Sequence, residues 1–310
     1  MSGTPSNPQE AQQKYDAEVV VKRNPHGDFG QVQASRPDWD ESRTWLFTKT
    51  RNPEWTYGSG GGSANASSTA KEQSQHISID PYAADRQPVQ NYKLLISGII
   101  PRPVGFLSTR SADGTSTNLA PFSYTQVFNH DPPIFGVGFA GGLDAAKDSL
   151  RNLIATGECV INIISEDFVE AANACSIDLP YGQSEWSVSG LAPASCDVVK
   201  CSRVKESVFS VEGKLVSTQE FESRSPKNPG KKTGVLAVIE GVRFWVREDA
   251  INDDKSIIDP AILRPIARLG GITYARVLDG FELPRPVLKD EKEQGKLAEE
   301  LVKEKVDGQW

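Results

Sequence analysis

Between Tyr92 and Leu283 the chain is written as short runs of β-branched and aromatic residues separated by turn residues, with few helical stretches. This constrains the fold more than any other feature, because a doubly wound sheet needs a helix after nearly every strand. Val104, Phe106 and Leu107 within Pro103–Thr109 run toward Asp113-Gly114, a strong hairpin signal. Further strands are predicted at Phe122–Phe128, Pro133–Phe139, Glu158–Ile164, Ser207–Val216, Val235–Val246 and Gly271–Leu278. Asp144–Thr156 carries Leu150, Leu153 and Ile154 at helical spacing and stops at Gly157, which predicts a helix with a glycine C-terminus. Ser165–Cys175 and Pro260–Arg268 predict two shorter helices. The expected fold class is therefore mainly β with inserted helices (α+β), in a small barrel.

Flanking segments differ in texture. Residues 1–80 are rich in Gln, Ser, Asn, Gly and Pro and read as an extension. Trp39, Trp45 and Trp55 within it are too much aromatic surface to leave in water, so this arm is expected to dock. The run Gly58-Ser59-Gly60-Gly61-Gly62-Ser63 reads as a flexible linker. Residues 81–287 form the expected barrel domain. Residues 288–310 form a charged tail, with Leu297, Leu301 and Val302 on one helical stripe.

Composition removes whole classes of function. With 34 Lys+Arg against 41 Asp+Glu the formal charge is −7, which argues against nucleic-acid partners. No apolar run approaches the ~18–20 residues of a membrane span, and Met1–Tyr15 lacks an apolar leader core. A cytoplasmic protein with no membrane partner is expected. The four cysteines show no paired spacing and are read as reduced thiols. Only three histidines occur, His26, His76 and His130, and HExxH, GxSxG and GxxxxGK[ST] are absent, so no metal site is expected. A bound organic cofactor is then the expected source of chemistry.

Three constellations remain. Gly136-Val137-Gly138-Phe139-Ala140-Gly141 satisfies GxGxxG, yet Val137 and Phe139 continue the alternation of Ile134 and Phe135, so its glycines read as embedded in a strand. Lys147-Asp148-Ser149, with Arg151 and Asn152, lies in the first turns of the predicted helix. Free N–H groups there, a lysine and a hydroxyl would suit a phosphate dianion; an ordinary capped helix with an exposed lysine is the alternative. Asn118-Leu119-Ala120-Pro121-Phe122-Ser123-Tyr124 combines small residues and a proline, through which backbone could approach a flat ligand, or which mark a bulge in a barrel strand.

Taken in order, Pro101-Arg102-Pro103-Val104-Gly105-Phe106-Leu107-Ser108-Thr109, Asp113-Gly114, Asn118 through Tyr124, Asp131-Pro132-Pro133 and Lys147-Asp148-Ser149 resemble the flavin reductase-like domain family of FMN-binding split barrels. Arg203-Val204-Lys205-Glu206-Ser207 and Arg268-Leu269-Gly270-Gly271-Ile272-Thr273-Tyr274 are later landmarks of the same resemblance. It implies an FMN-binding split β-barrel that works as a homodimer with FMN at the subunit interface. It further implies that Ser108 and Thr109 face the ribityl-phosphate and that Lys147, Asp148 and Ser149 complete the phosphate pocket. Asn118, Leu119, Ala120, Pro121, Phe122 and Ser123 would run along the isoalloxazine edge with backbone N–H groups toward it. Arg102 and Arg268 are implied as further FMN contacts, a structural salt bridge being the alternative for Arg268.

The activity so implied is that of an FMN-dependent oxidoreductase, an NAD(P)H-dependent flavin reductase type acting on free flavin or another small-molecule substrate. An FMN-dependent oxygenase or oxidase on a specific metabolite and a non-catalytic FMN-binding electron carrier are the alternatives. No side chain is singled out as catalytic. The Trp39–Tyr57 arm and the Ser176–Leu191 loop, with Tyr181, Glu185 and Trp186, are candidates for substrate recognition or for packing on the barrel.

Overall fold

The computed structural model describes residues 25–61 and 75–298. Of these, residues 43–61, 75–79 and 278–298 form one compact unit, and residues 25–42 with 80–277 form another.

In the larger unit a helix α1 (Pro88–Gly98) precedes β1 (Gly105–Arg110), β2 (Thr117–Phe122), β3 (Thr125–His130) and β4 (Pro133–Ala140). Then come α2 (Asp148–Thr156), β5 (Glu158–Ile163), α3 (Val169–Ala174) and α4 (Glu185–Ser189). Two long strands, β6 (Phe209–Glu222) and β7 (Lys232–Val246), are followed by a short β8 (Ile266–Arg268) and β9 (Tyr274–Arg276). Seven strands form one antiparallel sheet in the order β2-β1-β5-β6-β7-β4-β3.

That order has a geometric consequence. β2 and β3 are the two edges of the sheet, yet Ser123 and Tyr124 alone join them. A two-residue connection between opposite edges forces the sheet to curl until its edges meet, which makes a barrel split between β2 and β3. Three register shifts along the β6–β7 pair supply the coiling. The predicted strand Phe122–Phe128 is thus broken in two: Thr125 Oγ1 donates to the Phe122 carbonyl at 2.7 Å, and Gly138 N donates to Tyr124 O at 2.7 Å, turning the chain from one edge to the other.

Alternation along β1 divides the core. Leu107 enters a cluster with Val137, Phe139, Leu150, Leu153, Ile161, Val211 and Ile239, contributed by most of the barrel strands and by α2. Phe106, on the opposite face, packs with Val104, Leu119, Ile164, Phe168, Ala172 and Leu191 beneath α3 and α4. The GxGxxG glycines lie within β4, where the missing side chain of Gly136 makes room for the Phe128 ring and that of Gly138 for Tyr124.

Other boundaries move for local reasons. The helix expected from Asp144 starts at Asp148, after a 3-10 turn at Leu143–Ala145, and ends as expected at Gly157 with φ +71°. The helix expected over Pro260–Arg268 stops at Leu263; Arg264 turns left-handed, and residues 266–268 pair with β9 as β8. The tail helix covers Leu288–Glu293 and stops before Gly295, φ +67°, while Leu301 and Val302 fall outside the described residues.

The tryptophans of the arm separate. Trp39 stays 41 % exposed, its ring lying 4.2 Å from the Arg276 guanidinium and 5.8 Å from that of Arg264, so cations rather than a core cover one face. In the smaller unit Leu46–Phe47 pairs in parallel with Asp279–Gly280, and Trp45 packs edge-on to Phe47. Trp55 donates its indole N–H to the Gly60 carbonyl at 2.8 Å and remains 47 % exposed.

Candidate functional site

Thr109 and Asn118 stand directly opposite each other across β1 and β2, both buried, on the face that α2 covers. Ser149, in the first turn of α2, donates its hydroxyl proton to Asn118 Oδ1. The Asn118 amide donates to Glu185 Oε2 at 2.9 Å, and the Leu119 backbone N–H donates to the same oxygen at 3.0 Å. One turn along α2, Asn152 Nδ2 donates to Thr109 Oγ1 at 3.3 Å and Asn152 Oδ1 accepts from Tyr181 OH at 3.1 Å. Arg151 covers the Tyr181 ring at 4.4 Å. These contacts join β1, β2, α2 and α4 in one polar network.

The mouth of this network is the N-terminus of α2. Its N-cap residue Lys147 makes no side-chain capping bond, is exposed and forms no ion pair among the described residues. The first intrahelical bond runs from Arg151 N to Lys147 O at 2.9 Å, so the amides of Asp148, Ser149 and Leu150 have no acceptor within the helix. The positive helix end and Lys147 favour an anion. Asp148 works against it, and burial already pushes its carboxyl above the ordinary range, with Arg151 and Lys147 pulling it back. Burial likewise raises Glu185, against the lowering influence of the Leu119 and Asn118 donors.

The edge of β2 is less open than the sequence suggests. Ser111 N donates to Ser116 O, which fixes the phase of the ladder so that residues 118, 120 and 122 bond toward β1. Residues 119, 121 and 123 turn their backbone outward. Of these, Leu119 gives its N–H to Glu185 and Pro121 has none, so within Asn118–Ser123 the backbone donor left for a flat ligand is that of Ser123. The side chains of Leu119 and Phe122 are core: Leu119 in the cluster under α3 and α4, Phe122 stacked at 4.6 Å on Phe139. Ala120 shares the face of Asn118.

Ser108 and Thr109 diverge. As neighbours in a strand they leave on opposite faces: Thr109 lies on the face that α2 covers, while Ser108 shares its face with Phe106 and Leu119. The two side chains implied to face the ribityl-phosphate therefore do not share a face.

A second concavity of about 130 Å³ opens at the Pro121–Ser123 end of β2. Arg102, Arg268, Tyr92, Ser176, Gly271 and Tyr274 line it together with Pro121 and Ser123. Arg102 is 8 % exposed; its Nη1 donates to the carbonyls of Ile96 and Ile99 at 2.6 and 2.8 Å, closing the C-terminal end of α1, and its Nη2 donates to Leu269 O at 2.8 Å. Arg268 lies 4.3 Å over the Tyr274 ring and donates to Gly271 O at 2.6 Å. Neither arginine is in a salt bridge among the described residues, so the structural ion pair considered for Arg268 is not what holds it.

The structure therefore sorts the candidates into two places: Thr109, Asn118, Lys147, Asp148 and Ser149 at the α2 end, and Arg102, Pro121, Ser123 and Arg268 at the other. The loop Ser176–Leu191 packs on the barrel through Tyr181 and Glu185, and Trp186 joins the cluster under α3. Of the other lining residues, Ser176 begins the loop considered for substrate recognition and Tyr274 ends the Arg268–Tyr274 landmark, while Tyr92 belongs to no motif. For Tyr274 a signal existed, because Gly270-Gly271 sets the turn that makes Arg268 and Tyr274 cross-strand partners. Among the described residues no group of three or more His, Cys, Asp or Glu is placed to hold a metal, and no helix is long and apolar enough to cross a membrane.

Comparison with known proteins bears on the family and the fold. Residues 97–261, just over half of the chain, match the profile of the family described as flavin reductase like domain. An uncharacterized protein of Halalkalibacterium halodurans is 32 % identical over 218 residues, 70 % of this chain and 100 % of its own length. The crystal structure of nitrilotriacetate monooxygenase component B from Bacillus cereus superposes with a TM-score of 0.61 at 32 % identity, over 68 % of this chain and 100 % of that one. A protein from Shewanella frigidimarina with a split barrel domain aligns with a TM-score of 0.56 over 69 % of this chain and 100 % of its own, and at 22 % identity supports the fold alone.

Proposed function

The chain belongs to the flavin reductase like domain family, and from that premise we propose that it is an FMN-dependent oxidoreductase of the NAD(P)H-dependent flavin reductase type, acting in the cytoplasm as a homodimer. The observation that carries the reading is the uncapped N-terminus of α2, with Lys147 at its mouth and Thr109, Asn118, Ser149 and Asn152 as its polar floor. This donor set fits a terminal phosphate, and the outward edge of β2 beside it fits a flat ring.

FMN, when bound, supplies the hydride-accepting ring. The chain's own residues bind and orient. The amides of Asp148, Ser149 and Leu150 and the Lys147 ammonium hold the phosphate by charge-assisted hydrogen bonds. Glu185 fixes the Asn118 amide, so that the Asn118 carbonyl oxygen is set to receive the Ser149 proton and the floor keeps one arrangement. The Ser123 N–H would be the backbone donor available to the ring edge, and Pro121 keeps the β2 edge from pairing with another strand. The proposed partner is a second copy, which would cover Val127 and Phe128, 56 % and 63 % exposed on edge strand β3.

The test is an absorbance titration of the purified protein with FMN, followed anaerobically by NADH and then NADPH. Binding near one FMN per chain with rapid bleaching by either nucleotide is the expected result. FMN that binds but is bleached by neither removes the reductase reading, and absence of FMN binding removes the flavin reading altogether. An oxidase or oxygenase acting on a specific small metabolite is the second reading, favoured by the arginine-lined concavity at the far end of β2.

A further inference from the structure

We propose that the concavity between Arg102, Arg268 and Tyr274 holds an oxyanion of the substrate, a carboxylate or a phosphate, and so directs an anionic substrate onto the flavin. The assignment rests on the flavin reading above, and it moves both arginines from the cofactor to the substrate.

Arg102 N donates to Arg268 O at 3.1 Å and Arg268 N to Arg102 O at 2.9 Å, an antiparallel hydrogen-bonded pair. Residues so paired project their side chains on the same side, with Cα atoms ~5.5 Å apart. Two like charges directly opposite each other are unfavourable, and no carboxylate among the described residues neutralises them. The counter-charge is missing from the described residues.

The donors are also unspent. A guanidinium has five N–H groups. Arg102 gives three of them to the carbonyls of Ile96, Ile99 and Leu269, which lock its position, while its Nε–H is buried without a partner. Arg268 gives one to Gly271 O, and its plane is set by Tyr274. Rigid, unspent and unneutralised guanidinium donors in a walled concavity are the chemistry that recognises carboxylate or phosphate. Tyr92 and Tyr274 supply aromatic walls for the rest of a planar substrate.

Pro121 and Ser123 line this concavity, whereas Asn118 lies at the α2 end of the same strand. Five residues of strand separate Asn118 from Ser123, roughly 17 Å at the usual rise. An anion held here is therefore at the opposite end of the β2 edge from the proposed phosphate site and does not compete with it.

The experiment titrates the protein, with and without FMN, using benzoate against benzamide and nicotinamide mononucleotide against nicotinamide, read by calorimetry. The expected result is that at least one anion binds about tenfold or more tighter than its neutral counterpart, as a charge-assisted bond provides. Arg268→Gln, which can still donate to Gly271 O, and Arg268→Ala should both abolish that preference with FMN affinity and circular dichroism unchanged. Preference for benzoate alone identifies a carboxylate substrate, and preference for the mononucleotide alone a phosphate. Equal binding of charged and neutral probes overturns the proposal, as does loss of FMN affinity in Arg268→Gln with the anion preference retained. Failure of wild-type protein to bind FMN, by contrast, removes the flavin reading, while the anion comparison on FMN-free protein still reads out the concavity.

Discussion

Arg102 and Arg268 exchange both of their backbone hydrogen bonds, at 3.1 and 2.9 Å, and line one concavity with no carboxylate between them. Arg102 also serves the fold, because its guanidinium is the acceptor-satisfying partner for the last carbonyls of α1. The two duties are separable. Arg102→Met keeps the length of the side chain but strands the carbonyls of Ile96, Ile99 and Leu269. It is expected to lower the unfolding free energy by roughly 2–3 kcal/mol in urea denaturation. Arg268→Gln, with one such bond and a half-exposed position, is expected to change it far less.

Lys147 is exposed and makes no capping bond, so its removal should leave the fold alone. Lys147→Ala is expected to weaken FMN binding by ~1.5–3 kcal/mol, the range for a hydrogen bond to a charged group. The loss should shrink as salt is raised, since the site is open to solvent. Quenching of flavin fluorescence across a salt series reads both effects; an affinity indifferent to the substitution would move the phosphate elsewhere.

How far the sequence carried can be judged residue by residue. The turn at Asp113-Gly114, the helix stop at Gly157 and the strand-embedded glycines of β4 are local signals, and the structure follows them. Thr109, Asn118 and Ser149 were legible because short motifs name them. Glu185 was legible only as a member of a loop, since it reaches Asn118 across 67 residues and no periodicity encodes that meeting. The pairing of Arg102 with Arg268 is more remote still. Ser108 and Thr109 stand together in the motif, yet the two-residue period of a strand sends their side chains to opposite faces, which a motif read as a string does not show. Pro260–Arg268 shows tertiary pairing overriding a helical reading, because residues 266–268 find partners in Tyr274–Arg276.

Glu185 is buried between β2 and α4, and burial holds its carboxyl above the usual range despite two N–H donors. A raised folded-state value means the folded chain binds this proton more tightly than the unfolded chain, so its contribution to stability falls as pH rises from the ordinary Glu value, ~4.3, through the folded one. Glu185→Gln removes that cost and still offers an oxygen to the Leu119 N–H. The variant should equal or exceed wild type in stability at neutral pH, with the difference vanishing below about pH 4. Chemical denaturation at several pH values checks it, and a variant less stable at pH 7 than at pH 4 relative to wild type would reverse the assigned sign.

Glu212, on β6 of the sheet, gives the opposite case. Its carboxylate is fully buried on β6, and burial alone would raise it. It accepts the backbone N–H groups of Asp197, Val198 and Val199 at 2.9, 2.7 and 2.8 Å, and the Trp245 indole N–H at 2.6 Å, and together these hold it below the ordinary range. A lowered folded-state value contributes stability that is present above the unfolded Glu value and is lost as pH falls through the folded one. Glu212→Gln cannot accept four donors with a neutral amide and brings N–H groups of its own against them. It should therefore destabilise the barrel by about 1–3 kcal/mol at neutral pH. That deficit should narrow on acidification, where wild type loses its own charge. Parallel urea titrations of Glu212→Gln and Glu185→Gln between pH 4 and 7 should thus give differences from wild type of opposite sign at the neutral end. Two curves of the same sign there would show that one of the two buried carboxylates has been given the wrong balance of burial and donors.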